Sequence, residues 1–228
     1  MATANAKFVF EDVGELLKAL GNIPAKRICL NPPPGTATER DLLRKHGRPV
    51  KLYELVDGTL VEKCMGHKES FLAMELGAML WTFLQQHDLG YCTTADDLVR
   101  VNSKRVRGPD LTFVSWKTRP EKVIPQEQIS TQVPDLAVEI LSPSNTRKEM
   151  QIKLKDYFAG GVKLVWIIDP KTRTAEVFTA SDVKTAIPAD GTIDGGDVLP
   201  GFQLPLAKLF ARFPALPTKK KPTPRKKK

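Results

Sequence analysis

Long apolar runs and an N-terminal export signal are both missing from this chain of 228 residues. The most apolar segment, residues 71–84, is interrupted by Glu75 and falls short of the roughly 20 apolar residues that a membrane-spanning helix needs. The first residues lack the basic-then-apolar pattern of a secretory signal. We therefore expect a cytoplasmic protein with no membrane partner.

Cysteine is also scarce. The three cysteines lie at positions 29, 64 and 92, and no Cys-x-x-Cys motif occurs. An odd number of widely spaced cysteines argues against a disulfide framework and against a structural zinc site. We expect them to be small, partly buried apolar side chains in a reducing compartment.

Acidic residues are absent from the C-terminal segment Thr218–Lys228, which carries seven positive charges. The whole chain has a net charge of +9, so the rest of it carries only +2, which is +9 less those seven. A lysine run broken by prolines cannot bury a core, and we expect residues 214–228 to form a disordered tail. The tail would either bind a polyanion such as nucleic acid or act only as a solubilising appendage.

The remaining composition is that of an ordinary α/β domain. Hydrophobic residues make up 41% of the chain, which is enough for a sizeable core. We expect an N-terminal helix and a Pro-rich connector over residues 1–48, followed by a single domain over residues 49–213. Within that domain the pattern predicts a mixed central β-sheet flanked by α-helices.

Two local motifs in this domain are well marked. Asp57-Gly58, between two β-prone runs, predicts a hairpin. Thr146 and Glu149 form the capping box of a helix that ends at Gly160-Gly161, and the apolar run 163–169 after it predicts a central strand. The segment 102–108 is expected to be a basic loop. A long helix and three further strands are expected at Glu69–His87, Gly90–Val101, Leu111–Ser115 and Leu136–Leu141.

Three residues of these elements suggest a metal-dependent site. Strand alternation puts Glu139 among apolar neighbours, where an unpaired carboxylate would cost several kcal/mol. Two Pro-Asp pairs offer a partner. Asp135 lies on the same strand about 13 Å away, too far for two ligands of one Mg²⁺, whereas Asp110 comes from another strand. We therefore assign Asp110 and Glu139 as metal ligands and Asp135 as a strand-entry residue.

Lys153 lies in the helix that follows, three residues after Met150 and four before Tyr157. This position flanks the apolar stripe, so the ammonium can reach the carboxylates. Taken alone, a lysine at this position is more often a surface lysine whose stem covers apolar surface, and it is the combination with Asp110 and Glu139 that favours the site. Lys155 projects away and is expected to be solvated.

At these residues the chain resembles the putative restriction endonuclease family of the PD-(D/E)xK nuclease superfamily. The resemblance covers roughly residues 50 to 210 and implies a restriction-endonuclease-like core with Mg²⁺-dependent (or Mn²⁺-dependent) phosphodiester cleavage. The superfamily lysine would fall at position 141, which is Leu141, and in this family it is instead expected at the position of Lys153. The matching pieces, in order, are YELVDG, GPDLTFVS, PDLAVEILSPSN, KLKDYFAGGVKLVWIIDP and DVLPGFQLPL.

The resemblance adds two further acids to the candidate site. Glu69 opens the long helix, where related nucleases carry a glutamate near the metal, and His67 is a rival for that role. Glu54, in YELVDG, matches a recurring family glutamate. A plain helix-cap role for Glu69, or a hairpin-surface role for Glu54, is the alternative in each case.

We thus predict a metal-dependent endonuclease acting on nucleic acid, with DNA as the expected substrate. The basic loop, with Lys104, Arg105 and Arg107, and the tail would neutralise phosphates. A homodimer is expected, because duplex cleavage needs two cuts. The alternatives are a lapsed nuclease fold that binds nucleic acid without cleaving it, which Leu141 favours, and an interaction protein whose acids form surface ion pairs.

Overall fold

A computed structural model of the chain describes residues 10–46 and 51–213. The expected tail, residues 214–228, lies outside the described residues. The helices are α1 Val13–Ala19, α2 Glu39–Lys45, α3 His67–His87, α4 Arg147–Gly160 and α5 Leu206–Leu209. The strands are β1 Leu52–Val56, β2 Thr59–Lys63, β3 Gly90–Thr94, β4 Val99–Asn102, β5 Arg105–Arg107, β6 Leu111–Ser115, β7 Leu136–Ile140, β8 Leu164–Asp169, β9 Thr174–Phe178, β10 Lys184–Ile187, β11 Thr192–Asp194 and β12 Gln203–Pro205.

A six-stranded mixed sheet, in the order β10-β9-β8-β7-β6-β3, forms the centre of the molecule. Only β7 and β8 run parallel among its neighbouring strands. A parallel pair needs a crossover connection, and α4, which lies between these two strands in the chain, supplies it. The predicted mixed sheet flanked by helices is therefore confirmed.

Strand alternation decides which helix each side chain of β7 meets. Leu136, Val138 and Ile140 join the hydrophobic cluster that includes α3. Ala137 joins the cluster formed by α4, and Glu139 lies on the same face as Ala137. The core thus sits on both faces of the sheet, and the one acidic residue of β7 points toward α4.

A second, antiparallel sheet has the order β2-β1-β5-β4, and β1 and β2 form the Asp57-Gly58 hairpin within it. The predicted hairpin is confirmed, but the strand predicted over Gly90–Val101 is wrong. It divides into β3, in the central sheet, and β4, in the second sheet, because the turn after Thr94 redirects the chain.

The predicted basic loop is also wrong. Residues 105–107 form β5, which pairs with both β1 and β4. Val106 is buried in a hydrophobic cluster, so Arg105 and Arg107 project to the opposite face of the strand. There they bind carboxylates rather than solvent, and they are not free to contact phosphates through those groups.

A buried ion pair joins the segment before α2 to α4. Arg27 donates to both oxygens of Glu149, at 2.9 and 2.7 Å, and Glu149 also completes the predicted capping box with Thr146. Burial disfavours the carboxylate, but the Arg27 hydrogen bonds, the charges of Lys153 and Arg27 and the Asn145 hydrogen bond together hold the pKa of Glu149 below its ordinary value. The pair therefore stabilises the fold above the unfolded pKa of about 4.3, and this is lost as the pH falls through the lowered pKa.

Arg27→Met should lower the free energy of unfolding by about 3–5 kcal/mol near pH 7, because it leaves Glu149 buried without its partner. The difference from the parent protein should shrink below about pH 4, where Glu149 of the variant is protonated. Urea denaturation at both pH values measures this. The neighbouring exposed lysine provides the control, since Lys26→Met should change little. A loss that is the same at both pH values would contradict the assignment.

Candidate active site

Two carboxylates meet where β6 begins. Asp110 directly precedes β6, and the β6–β7 register, with Leu111 opposite Val138, puts it beside Glu139. The Ile140 amide donates to Asp110 Oδ2 at 2.6 Å, which fixes the orientation of the carboxylate. Both acids are buried, with 3% and 4% of their surfaces exposed. The two predicted metal ligands are therefore neighbours.

Asp135 lies at the opposite end of β7, as the distance argument predicts. Its carboxylate accepts from the Ser115 amide at 2.8 Å and pairs with Lys163 at 2.7 Å. These contacts tie the start of β7 to the end of β6 and to the residue before β8. Asp135 is a strand-entry residue and takes no part in the candidate site.

Lys153 reaches this site from α4. Its ammonium lies 2.9 and 3.0 Å from the two oxygens of Glu139 and 2.9 Å from Glu54 Oε1. The side chain is only 3% exposed, so the surface-lysine alternative is wrong, whereas Lys155 is exposed as predicted. One ammonium therefore joins a carboxylate of the central sheet to one of the second sheet.

Glu54 faces inward from β1. Arg107 donates to its Oε2 at 2.8 Å, and the Gly108 amide donates to its Oε1 at 3.3 Å. Only 2% of Glu54 is exposed, so the hairpin-surface alternative for this residue is wrong. Arg107 in turn binds Asp156 of α4 with its Nε at 2.9 Å. Glu54 thus belongs to a buried network of alternating charges.

Glu69 lies at the edge of the site. It is in the first turn of α3, and a Cβ at Gly66, the N-cap residue, would lie 2.4 Å from its Oε2. The carboxylate therefore folds back over the start of the helix, where negative charge is favourable. Among the described residues, no hydrogen bond or ion pair joins Glu69 to Asp110 or Glu139. Its rival, His67, is exposed at the start of α3.

Two further polar side chains, which the sequence pattern did not single out for the site, also contact it. Lys63, at the end of β2, lies 2.7 Å from Asp110 Oδ1 and also donates to the Gly108 carbonyl. Tyr157 donates its hydroxyl to Glu139 Oε1. The position of Tyr157, one helical turn after Lys153, is a signal for the second contact. Nothing in the local sequence around Lys63 indicates its contact with Asp110.

The pKa values of Glu139 and Glu54 are shifted in opposite directions. Burial raises the pKa of Glu139 above its ordinary value. The charges of Asp110 and Glu54 act in the same direction, and those of Lys153 and Lys63 act against it. Burial also opposes the charge on Glu54, but Lys153 and Arg107 outweigh it and lower its pKa. Burial likewise disfavours the Lys153 ammonium, yet Glu139 and Glu54 raise its pKa above the ordinary value. Lys153 therefore keeps its positive charge at neutral pH.

A cleft of about 760 Å³ opens beside these residues. Lys63 and Glu69 line it, and so do Lys26 and Lys51, which are exposed. Lys63 therefore has Asp110 on one side and the cleft on the other. Asp110, Glu139 and Lys153 are buried and do not line the cleft, so Lys63 separates them from it.

A model of a known protein family matches most of the chain. Residues 41–207 match the model of the family described as Uma2, putative restriction endonuclease. The chain belongs to this family. No curated protein matches the chain.

The Uma2 chain also resembles a solved structure, described as a putative nuclease belonging to DUF820 from Anabaena variabilis ATCC 29413. The two share 19% sequence identity with a TM-score of 0.65, over 76% of this chain and 97% of that one. At this identity the likeness establishes the fold alone, and it confirms the predicted restriction-endonuclease-like core. Family membership supports a nuclease in general.

Position 141 is a leucine, where the superfamily pattern has a lysine. Leu141 is partly buried against the α4 hydrophobic cluster. The ammonium that contacts Glu139 comes from Lys153 instead, as the family resemblance implied. The lysine of the site is thus supplied by a helix rather than by the strand that carries the glutamate.

Two features are absent from residues 10–46 and 51–213. No group of three or more His, Cys, Asp or Glu side chains there is arranged to hold a metal ion. Within residues 10–46 and 51–213, none of the helices has the length and apolar character to cross a membrane. The three cysteines are free and partly buried, as predicted.

Proposed function

We propose that this chain is a metal-dependent endonuclease that hydrolyses phosphodiester bonds of nucleic acid, with DNA as the substrate. The observation that carries the proposal is the pair of adjacent buried carboxylates, Asp110 and Glu139, with the Lys153 ammonium on Glu139. The cleft beside it is lined by three lysines, Lys26, Lys51 and Lys63, and by three acids, Glu62, Glu69 and Asp96. A polyanionic substrate would approach at the exposed Lys26, since Lys51 and Lys63 are paired with Glu62 and Asp110.

The donor set fits a hard divalent cation. Mg²⁺ and Mn²⁺ prefer oxygen ligands and are bound through one or two carboxylates, with water completing the shell. The Lys63 ammonium on Asp110 Oδ1 shows that this oxygen already accommodates a cation. Asp110, Glu139 and the backbone carbonyl near Ile140 would hold the metal. When bound, it would polarise the scissile phosphate and lower the pKa of a water molecule.

The chain's own residues would position the reaction. Lys153 stays protonated, so it acts as a positive charge and a hydrogen-bond donor rather than as a base. It would orient the attacking water or stabilise the charge that develops on the phosphorus oxygens. Glu54 holds this ammonium from the side opposite Glu139. The exposed Lys26 would neutralise a substrate phosphate at the cleft.

The lapsed-nuclease alternative has one observation in its favour. Each site carboxylate is already neutralised by a lysine, Asp110 by Lys63 and Glu139 by Lys153. A protein with such a self-contained network could bind nucleic acid without cutting it. A cleavage assay separates the two functions.

The assay compares supercoiled, linear and single-stranded DNA, and RNA, in Mg²⁺, in Mn²⁺ and in chelator. We expect cleavage of DNA in at least one of the two metals and none in chelator, because the carboxylates alone cannot activate water. Gel mobility shifts run in parallel report binding. Binding without cleavage in either metal would favour the lapsed-nuclease alternative, and cleavage in chelator would contradict metal dependence.

A further inference from the structure

Lys63 has a largely buried side chain, and the mechanism above gives it no role. Its side chain is 7% exposed and its ammonium lies 2.7 Å from Asp110 Oδ1, while it also donates to the Gly108 carbonyl. A lysine with so little exposure is uncommon unless it is paired. Its partner here is one of the two proposed metal ligands.

Lys63 and a metal ion would compete for the same oxygen. Asp110 Oδ2 accepts the Ile140 amide at 2.6 Å, whereas Oδ1 faces the Lys63 ammonium and is the oxygen that already faces a cation. The ammonium holds Oδ1 in this structure. Like charges a few ångströms apart repel strongly in a partly dehydrated site. The ammonium and a divalent cation therefore cannot both sit against Oδ1.

The surroundings of the two site lysines indicate which one would move. Lys153 is held by two carboxylates, Glu54 and Glu139, beneath α4. Lys63 is held by one carboxylate and one carbonyl, and it lines the cleft. Lys63 thus pairs with fewer carboxylates than Lys153 and borders the cleft, into which it could move.

We propose that the Lys63 ammonium is a built-in counter-ion that occupies the metal position on Asp110 in the metal-free protein, and that metal binding displaces it into the cleft. The proposal rests on the proposed metal-dependent function, which it deepens by naming what the metal must exchange with. Metal affinity is then set by an exchange of cations rather than by filling a vacant, negatively charged site.

Isothermal titration with Mn²⁺, together with thermal unfolding, tests the exchange on the full chain. Lys63→Met should unfold at a lower temperature than the parent protein without metal, because Asp110 loses its counter-ion. Its Kd for Mn²⁺ should be tighter by about tenfold or more, because the competing charge is gone. Lys51→Met is the matched control. It removes a cleft lysine that pairs with Glu62, and its Kd should stay that of the parent.

A second measurement needs no variant and covers the case in which Lys63→Met does not fold. Acetylation of each lysine in the parent protein is followed by mass spectrometry with and without Mn²⁺. The rate at Lys63 should rise several-fold when metal is added, while the rate at Lys51 stays constant. An unchanged rate at Lys63 in protein that binds Mn²⁺ would overturn the exchange.

Metal titration of Asp110→Asn distinguishes a failure of the proposed metal-dependent function from a failure of the proposed cation exchange alone. If the parent and this variant both fail to bind metal, and Lys63→Met fails too, the metal-dependent function is wrong and the exchange falls with it. If the parent binds Mn²⁺ through Asp110 but Lys63→Met binds it with equal or weaker affinity, only the exchange is wrong. Binding that is tightened by Lys63→Met and lost in Asp110→Asn supports both.

Discussion

Asp110→Asn and Glu139→Gln should each reduce metal-dependent cleavage to background. Each change removes one negative charge from the pair of buried carboxylates while keeping the shape of the side chain. An amide oxygen is a much weaker ligand for Mg²⁺ than a carboxylate, so metal binding should be lost together with activity. Cleavage rates, calorimetric metal titration and circular dichroism on the same samples separate a lost site from a lost fold.

Asp135→Asn is the matched control for this prediction. Asp135 also follows a proline and is also buried, with 5% exposed, but it lies at the other end of β7. This variant should keep its metal affinity and its cleavage rate, even if it is less stable. Activity like that of the parent in Asp110→Asn or Glu139→Gln would show that the metal is held elsewhere.

Lys153→Met should lower the cleavage rate by about 10²-fold or more at saturating metal and substrate, the usual effect of losing one electrostatic group in the transition state. Methionine keeps the length and the apolar stem of the side chain and removes the charge. The variant should also be less stable, because Glu139 and Glu54 lose the cation between them. Rates are therefore compared at a temperature where both proteins are folded.

Lys155→Met is the control, since this lysine lies on the same helix and is exposed. It should change the rate little. Equal losses in the two variants would show that bulk positive charge matters and that Lys153 has no specific role. A loss at Lys153 that is restored by raising the metal concentration would instead assign this residue to metal binding.

Local pattern was sufficient for the part of the site that lies within β7 and α4. Alternation in β7 correctly predicted that Glu139 shares a face with Ala137, and the helical spacing correctly put Lys153 beside Tyr157. The capping box at Thr146 fixed the start of that helix. These features depend on residues within about four positions of one another, which is the range that propensity and periodicity describe.

The contributions of the second sheet could not be predicted in the same way. Lys63 and Arg107 reach the site through the pairing of β1 with β2 and β5, which joins residues far apart in the sequence. The alternation of Arg105, Val106 and Arg107 was a signal of a strand, but the positive charges suggested a loop. The strand pairing that buries Arg107 and partly buries Arg105 is not encoded locally.

The ion pair between Arg27 and Glu149 bears on how the protein should be trimmed for expression. The family match begins at residue 41, so a fragment cut to that boundary would lack Arg27. Glu149 would then remain in α4 with its main cationic partner removed. The boundary of family similarity and the boundary of a stable fragment therefore differ, and the stable fragment must begin before Arg27.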